Sequence, residues 1–337
     1  MSDTIPAPAA RTNIKVGTRD SLLAMKQTHI VIEALQALRP SVTFTACPMK
    51  TLGDKDQQTA LYKFGGKGLW TNELEAKLAT SEIDIIVHSL KDMPTTLPEG
   101  FVLACVTPRE DARDVVIFKA SLGNKYTAIA DLPAGSVVGT SSIRRIAQLK
   151  RRYPHLEFAD VRGNLQTRLA KLDNEAGPFS AIILAAAGML RLDYGARIAQ
   201  YLDAESAGVL HAVGQGALGV EARAGDDFVL EMLKEYQHER TMLECFAERS
   251  LMRKLEGGCS VPIGVETSWS EGNKLRLNST VVSLAGTEFA DVDEMRVVES
   301  VEAAEEFGRD IAVKLVESGA GAILKKITED GMNLNTA

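Results

Sequence analysis

A Lys-Asp pair that directly follows an apolar run is the first candidate for chemistry in this sequence. Residues 83–87 read IDIIV, a nearly uninterrupted β-branched run that is typical of a strand covered on both faces of a parallel sheet. The next residues, HSLKDMP, place Lys91 and Asp92 at the carboxyl end of this strand, where open α/β sheets bind their ligands. A solvated turn after a core strand accounts for the same residues equally well, so this stretch alone leaves both interpretations open.

Basic and hydroxyl side chains recur where other predicted strands end. Such turns share one edge of a sheet, where helix N-termini and the charged fork of arginine favour carboxylates or phosphates. Arg144 and Arg145 lie in the first turn of a predicted helix, where the helix dipole disfavours cations, and this favours a functional role for them. The sequence therefore predicts a positively charged cleft for a polyanionic ligand. The residues that would line it are Arg19, Ser21, Ser141, Ser142, Arg144, Arg145, Arg162 and Arg168.

The glycine-rich segment at residues 64–70, FGGKGLW, is a second place where a ligand could bind. It resembles a phosphate-binding loop only loosely, because no Ser or Thr follows Lys67, and no GxGxxG follows a strand elsewhere. Carboxylates on a small organic ligand are therefore at least as plausible as nucleotide phosphates. Trp70 is of a type that usually packs in a core, but it also stacks on flat ligands.

One cysteine stands apart from the other three. Cys259 lies in the sequence GGCSVP, a tight loop that should present its side chain, and an exposed thiol in an electropositive cleft would be partly thiolate. Cys47, Cys105 and Cys245 read as small buried hydrophobic residues. The sequence has no CxxC and no HExxH, so no metal site is expected.

The composition is that of an ordinary globular protein of two or three domains. The chain has 337 residues and a net charge of −7, so nothing global points to nucleic acid or to an anionic membrane surface. No apolar run reaches the roughly 20 residues of a membrane span, the N-terminus has no signal-peptide pattern, and the cysteine usage suggests a reducing compartment. Strands and helices alternate up to about residue 190, which predicts α/β architecture with mostly parallel sheets, and the last third predicts a smaller α+β unit.

Nine motifs in order resemble the porphobilinogen deaminase family, which is also called the hydroxymethylbilane synthases. The resemblance runs from about residue 14 to the last predicted helix. The motifs are GTRDSLLA from residue 17, TLGD from 51, GGKGLW from 65, HSLKDMP from 88, GTSSIRR from 139, VRGN from 161, LAAAGMLRL from 184, VGQGA from 213 and GGCSVP from 257.

The resemblance implies a fold of three domains. Two α/β domains of the periplasmic-binding-protein type would enclose the active-site cleft, and a smaller α+β C-terminal domain would carry the cysteine loop. The implied division is residues 1–115 with 217–235 for the first domain, 116–216 for the second and 236–337 for the third. The family precedent further implies a cytoplasmic monomer that binds neither nucleic acid nor membranes.

The resemblance also implies a reaction and a cofactor. Members join four porphobilinogen molecules head to tail, release ammonia each time, and yield the linear 1-hydroxymethylbilane of haem synthesis. Their dipyrromethane cofactor is attached by a thioether to the loop cysteine, which is Cys259 here. Asp92 would be the catalytic acid and base. The implied cofactor and substrate contacts are Arg19, Ser21, Lys67, Trp70, Lys91, Ser141, Ser142, Arg144, Arg145, Arg162, Gly163, Arg168, Arg191 and Gln215.

A two-domain cleft module that binds a small organic polyanion without catalysis is the alternative interpretation. It would explain the arginines. It does not explain a carboxylate at Asp92 inside a ring of cations, or a cysteine at Cys259 in a glycine loop.

Overall fold

The computed structural model describes residues 11–51, 71–123, 125–255 and 261–334 of the chain. Three sheets organise these residues. Their strands are β1 Asn13–Arg19, β2 Thr43–Met49, β3 Ile85–Ser89, β4 Phe101–Val106, β5 Asp114–Phe118, β6 Val137–Gly139, β7 Glu157–Ala159, β8 Phe179–Ala185, β9 Gln200–Leu202, β10 Leu218–Arg223, β11 Ile263–Ser270, β12 Lys274–Val282 and β13 Phe289–Val297. The helices are α1 Leu22–Leu38, α2 Asn72–Ala79, α3 Ile143–Arg152, α4 Leu165–Asp173, α5 Ala186–Arg191, α6 Asp227–Tyr236, α7 Glu239–Lys254, α8 Val301–Glu317 and α9 Ala320–Leu334.

The first sheet has the strand order β2-β1-β3-β10-β4. β1 runs parallel to β2 and β3, whereas β10 runs antiparallel to β3 and β4. Helices α1 and α6 bury one face of this sheet around Ile14, Val31 and Leu35, and α2 buries the other face through Leu74 and Leu78. The strand predicted at residues 83–87 is therefore covered on both sides, as its apolar run indicated.

The second sheet has the order β7-β6-β8-β5-β9, and again one antiparallel strand, β5, lies between β8 and β9. β6 runs parallel to both of its neighbours, so its carboxyl end leads directly into α3. Ser142 caps this helix, since its hydroxyl accepts a hydrogen bond from the Arg145 amide at 3.5 Å. Both sheets are therefore mixed, whereas the sequence predicts mostly parallel sheets. The chain passes from the first sheet to the second through β5 and returns through β10, and each of these strands runs antiparallel to its neighbours.

The third sheet is antiparallel, with the order β11-β12-β13, and helices α7, α8 and α9 cover one face of it. Phe307, Ile311 and Leu315 of α8 are fully buried in this core, at the helical spacing that such burial requires. The predicted fold class, two α/β units and a smaller C-terminal sheet unit, is confirmed.

Predicted element bounds agree best where local signals are strong. The sequence predicts helices over residues 22–38 and 143–152 and a strand over residues 114–118, and the structure has these limits. The sequence also predicts a strand over residues 295–298, which is only the end of the longer β13, and it does not predict α5, α6, α9, β9 or β10. Among the described residues, no helix combines the length and apolarity that a membrane crossing needs.

Candidate functional site

A short turn after β3 presents the candidate catalytic carboxylate. β3 ends at Ser89, and residues 90–92 form a single 3₁₀ turn in which Leu90 is buried while Asp92 is exposed. The Leu90 amide donates to the carbonyl of Ala217 at 3.0 Å, so the turn is attached to the segment that precedes β10. The side chain of Leu90 thus anchors the turn in the core, and Asp92 is directed to solvent from a fixed backbone.

Two side chains from other elements hold the two ends of this turn. Gln27 on α1 is buried, and its amide nitrogen donates to the Ser89 hydroxyl at 2.9 Å. Arg249 on α7 donates to the carbonyls of Met93 and Pro94 at 3.3 and 2.6 Å. No local pattern indicates either contact, because the partners are far apart along the chain.

Lys91 is half-buried, and its ammonium group donates to the Gln215 side-chain oxygen at 3.3 Å. Burial lowers the pKa of Lys91 to about 8; the Asp92 carboxylate opposes this shift, and the nearby Arg145 guanidinium strengthens it. Lys91 therefore changes its charge close to neutral pH, in a place where other cations are near.

We expect Lys91→Arg to change the pH dependence of substrate binding. Lys91 loses its charge as the pH rises through about 8. The KM of the wild type should therefore rise severalfold between about pH 7 and about pH 9, because a neutral amine no longer attracts carboxylates. Arginine stays charged throughout this range, so the KM of the variant should remain flat.

The measurement is the steady-state KM across this pH range for the substrate that the family resemblance implies. Lys234→Arg, the same exchange on the exposed surface of α6, is the matched control and should behave like the wild type. A Lys91→Arg profile parallel to that of the wild type would assign the pH dependence to another group.

A buried carboxylate holds the arginines on the wall of the site that the second sheet forms, across from Asp92. Asp114, at the start of β5, is 1% exposed and lies 2.8 Å from Arg144 Nη1 and 2.7 Å from Arg145 Nη2. Gln215 donates to the same carboxylate at 2.8 Å. Burial raises the pKa of Asp114, but the two guanidinium groups outweigh burial and hold it well below its usual range.

Arg144 and Arg145 are therefore held in place by other groups of the protein. Arg144 also donates to the Leu210 carbonyl at 2.5 Å, and Arg145 to the Ile183 carbonyl at 2.8 Å. Both side chains are buried, and both lie close enough to Lys91 to lower its pKa. Their position in the first turn of α3, which the helix dipole disfavours, is offset by Asp114, a residue that the sequence did not single out.

Arg168 and Arg162 bring further positive charge to the same wall. Arg168 donates to the Gly163 carbonyl at 2.8 Å. Burial lowers the pKa of Arg168 to about 10, the nearby Arg145 lowers it further, and the Asp92 carboxylate raises it. Arg162 donates to Asp160 at 2.9 Å. Gly163 has φ +110°, and a Cβ there would lie 2.7 Å from the Thr167 Cγ2, so the turn requires glycine.

The remaining predicted contacts have defined places in the fold. Ser21 caps α1 by accepting from the Ala24 amide at 3.3 Å, and the Ser141 hydroxyl donates to the Val161 carbonyl at 3.1 Å. Arg19 ends β1 and is half-buried. Arg191 is buried and donates to the Gly216 carbonyl at 2.7 Å, and burial lowers its pKa.

Gln215 is the side chain that joins the two walls. It is 1% exposed, accepts from Lys91, and donates to Asp114 and to the Ala112 carbonyl. Lys67, Trp70 and Cys259 lie outside the described residues. Of the described part of the predicted set, the structure brings Lys91 and Asp92 at the end of β3 close to Arg144, Arg145, Arg168 and Gln215, and Arg19 and Ser21 follow the neighbouring strand β1.

This arrangement defines a class of protein. Two mixed α/β sheets meet at a site where the exposed carboxylate of Asp92 lies near Lys91 and Arg168, and Arg145 lies near both of these cations. Cations fixed by buried partners suit a ligand with several carboxylates, and an exposed carboxylate near them suits a reaction that develops positive charge.

Comparisons with known proteins identify the family. Residues 14–231 match the family model described as porphobilinogen deaminase, dipyromethane cofactor binding domain, and residues 242–317 match its C-terminal domain. The porphobilinogen deaminase of Neurospora crassa is 54% identical over 323 residues, 95% of each chain. That of Yarrowia lipolytica is 51% identical over 317 residues, 93% of this chain and 92% of its own. The chain belongs to the porphobilinogen deaminase family.

A solved structure, the periplasmic VFT2 domain of Bordetella pertussis BvgS, matches 67% of this chain and 87% of its own length. The identity is 15% and the TM-score 0.38.

Proposed function

We propose that this chain is a hydroxymethylbilane synthase, which condenses four porphobilinogen molecules head to tail with release of ammonia. It then releases the linear tetrapyrrole 1-hydroxymethylbilane by hydrolysis. The observation that carries this function is the exposed Asp92 opposite a wall of fixed cations, in a chain that matches the family over residues 14–231 and 242–317. Each pyrrole of the substrate bears an acetate and a propionate, so the number of carboxylates grows with every addition.

The cationic residues bind and orient these carboxylates. Arg145 and Arg144 are held by Asp114, Arg168 by the Gly163 carbonyl, and Lys91 by Gln215. Because these donors are fixed before substrate arrives, little side-chain entropy is lost when a carboxylate binds. We propose Arg19, Ser21, Ser141, Ser142, Arg162, Gly163, Arg191, Lys67 and Trp70 as further contacts of the substrate or cofactor.

Asp92 performs the proton transfers. Its carboxylic acid form can protonate the departing amine, and its carboxylate form then stabilises the positively charged pyrrole that remains. The same carboxylate can take up the proton that the ring loses after the new carbon–carbon bond has formed.

The residues present fit the dipyrromethane cofactor of the family. Its two pyrrole rings carry four carboxylates, which match the donor set of Lys91, Arg144, Arg145 and Arg168. When bound, the cofactor supplies the covalently held pyrrole to which the substrate is added. We propose Cys259 as its attachment point, through a thioether.

The domain division proposed is residues 1–115 with 217–235, 116–216 and 236–337. The pairing of β10 with β3 and β4 supports the return of the chain to the first domain, and the pairing of β5 with β8 supports a start of the second domain near Asp114. We propose a cytoplasmic monomer, in line with the described cysteines Cys47, Cys105 and Cys245, all of which are free thiols.

The mass of the intact protein tests the attachment at Cys259. The wild type should be heavier than its sequence by one dipyrromethane and should react with an acidic aldehyde reagent for pyrroles, whereas Cys259→Ala should have the sequence mass and no activity. Cys47→Ala, which removes another free thiol, is the matched control and should keep both the adduct and the activity. An unmodified mass in active wild-type protein would overturn the proposal, and porphobilinogen binding without ammonia release would indicate a binding module.

A further inference from the structure

A buried polar cluster lies between β3, β10 and α2, and its histidine lies two residues before the turn that carries Asp92. It consists of His88, Glu221 and Glu75, which are 7%, 0% and 7% exposed. His88 Nε2 and Glu221 Oε2 are 2.8 Å apart. The register of the strands, in which Gly219 faces His88, puts Glu221 on the same side of the sheet as the imidazole. None of these three side chains has a part in the proposed reaction.

Two oxygens of this cluster lack hydrogen-bond partners among the described residues. They are Glu75 Oε1 and Glu221 Oε1, and both are buried. A buried carboxylate oxygen without a donor is costly, and two adjacent carboxylates cannot both stay ionised at low cost. Burial raises the pKa of Glu75, and the Glu221 carboxylate raises it further, while Thr71 and His88 act in the opposite direction.

The groups around the cluster indicate which carboxyl holds a proton. Glu221 faces His88 from one side, and the Arg249 guanidinium of α7 is near enough for Glu221 to favour its charged form. Glu75 faces only Glu221, His88 and the hydroxyl of Thr71 among the groups described. Glu221 already has His88 and Arg249 beside it, whereas Glu75 is buried beside another carboxylate, so a shared proton is best placed on Glu75.

We propose that Glu75 is held as a neutral carboxyl that donates its proton to the free oxygen of Glu221. Both unpartnered oxygens are then satisfied by one hydrogen bond. Glu221 in turn fixes the imidazole of His88, and through the backbone it fixes Ser89 and the turn that presents Asp92. Glu75 and Glu221 are positioning residues, which act on the reaction through the geometry of this turn.

Infrared spectroscopy of the holoenzyme tests the protonation of Glu75 without any measurement of activity. A band from a protonated buried carboxyl should be present in the wild type at neutral pH, should be absent from Glu75→Gln and should remain in Glu73→Gln. Glu73 lies on the same helix and makes this the matched control. Identical carboxyl bands in wild type and Glu75→Gln would overturn the proposal, since Glu75 would then be ionised.

The pH dependence of thermal stability gives a second test with a defined sign. A carboxyl whose pKa is raised in the folded state binds its proton more tightly there than in the unfolded chain. The wild type should therefore lose stability relative to Glu75→Gln as the pH rises above the ordinary glutamate pKa of about 4.3, so the Tm difference should grow between about pH 5 and about pH 8. A difference that stays constant over this range would contradict a raised pKa.

Steady-state kinetics tests the positioning role, and only this arm rests on the proposed function. Glutamine keeps a donor for Glu221, so Glu75→Gln should retain kcat within about twofold, whereas Glu75→Met, of similar size without a donor, should lose about tenfold in kcat at an unchanged KM. Equal kcat values for the two variants would overturn the positioning role. If no variant and no wild type releases ammonia, the proposed function fails while the infrared and thermal results still decide the state of Glu75.

Discussion

Asp92→Asn should keep the covalent cofactor but lose turnover by about 10²- to 10⁴-fold, the range typical of a general acid-base group. The amide has nearly the same shape as the carboxylate, so the 3₁₀ turn and its bond to the Ala217 carbonyl should be unchanged. The asparagine amide can neither protonate the departing amine nor supply the negative charge that lies near Lys91 and Arg168.

Ammonia release under single- and multiple-turnover conditions, with the intact mass of each sample, measures this effect. Asp227→Asn makes the same chemical change at an exposed position at the start of α6, away from the site, and should leave activity and mass unchanged. Activity of Asp92→Asn within a few-fold of the wild type would remove Asp92 from the acid-base role. A loss of the cofactor mass would move its main role to cofactor assembly.

Asp114→Asn should destabilise the protein and weaken substrate binding together. The substitution removes the negative charge between Arg144 and Arg145 and leaves two guanidinium groups buried beside an uncharged amide. Removal of one partner from a buried ion pair costs about 3–5 kcal/mol in the free energy of unfolding. The KM for porphobilinogen should also rise, because the two arginines lose the group that fixes their direction.

Urea unfolding followed by circular dichroism measures the first effect, and steady-state kinetics the second. Asp173→Asn is the matched control, since Asp173 pairs with Arg197 at 3.0 Å, with both side chains about one-third exposed. A partly exposed pair of this kind should cost about 1 kcal/mol or less. Equal losses of stability at the two positions would show that Asp114 does not neutralise a buried cationic pair.

The sequence predicts well what depends on neighbouring residues. The helix that begins after Ser142 and the one that begins after Ser21 have the predicted bounds, because each cap hydroxyl bonds an amide three residues ahead. The position of Lys91 and Asp92 at the end of β3 also depends on neighbouring residues, because the apolar run of the strand stops abruptly there.

The partners that fix the site could not be predicted in this way. Asp114 reaches Arg145 and Gln215 across long stretches of chain, and no local pattern marks it as different from any aspartate at the start of a strand. β10 was missed as a strand because Glu221, a charged residue at its centre, interrupts the apolar pattern. Its burial makes sense only once His88 and Arg249 are seen beside it.

The place of β10 in the first sheet has a consequence for the order in which the enzyme is made. β10 lies between β3 and β4, yet the chain builds the whole second sheet before it returns to residues 218–223. A nascent or truncated chain that stops earlier exposes unpaired edges on both β3 and β4, which invites pairing with other chains. It also lacks Ala217 and Glu221, so the Asp92 turn acquires these two supports only late in synthesis. Active enzyme should therefore require translation well past the second sheet, and shorter products should aggregate rather than retain partial activity.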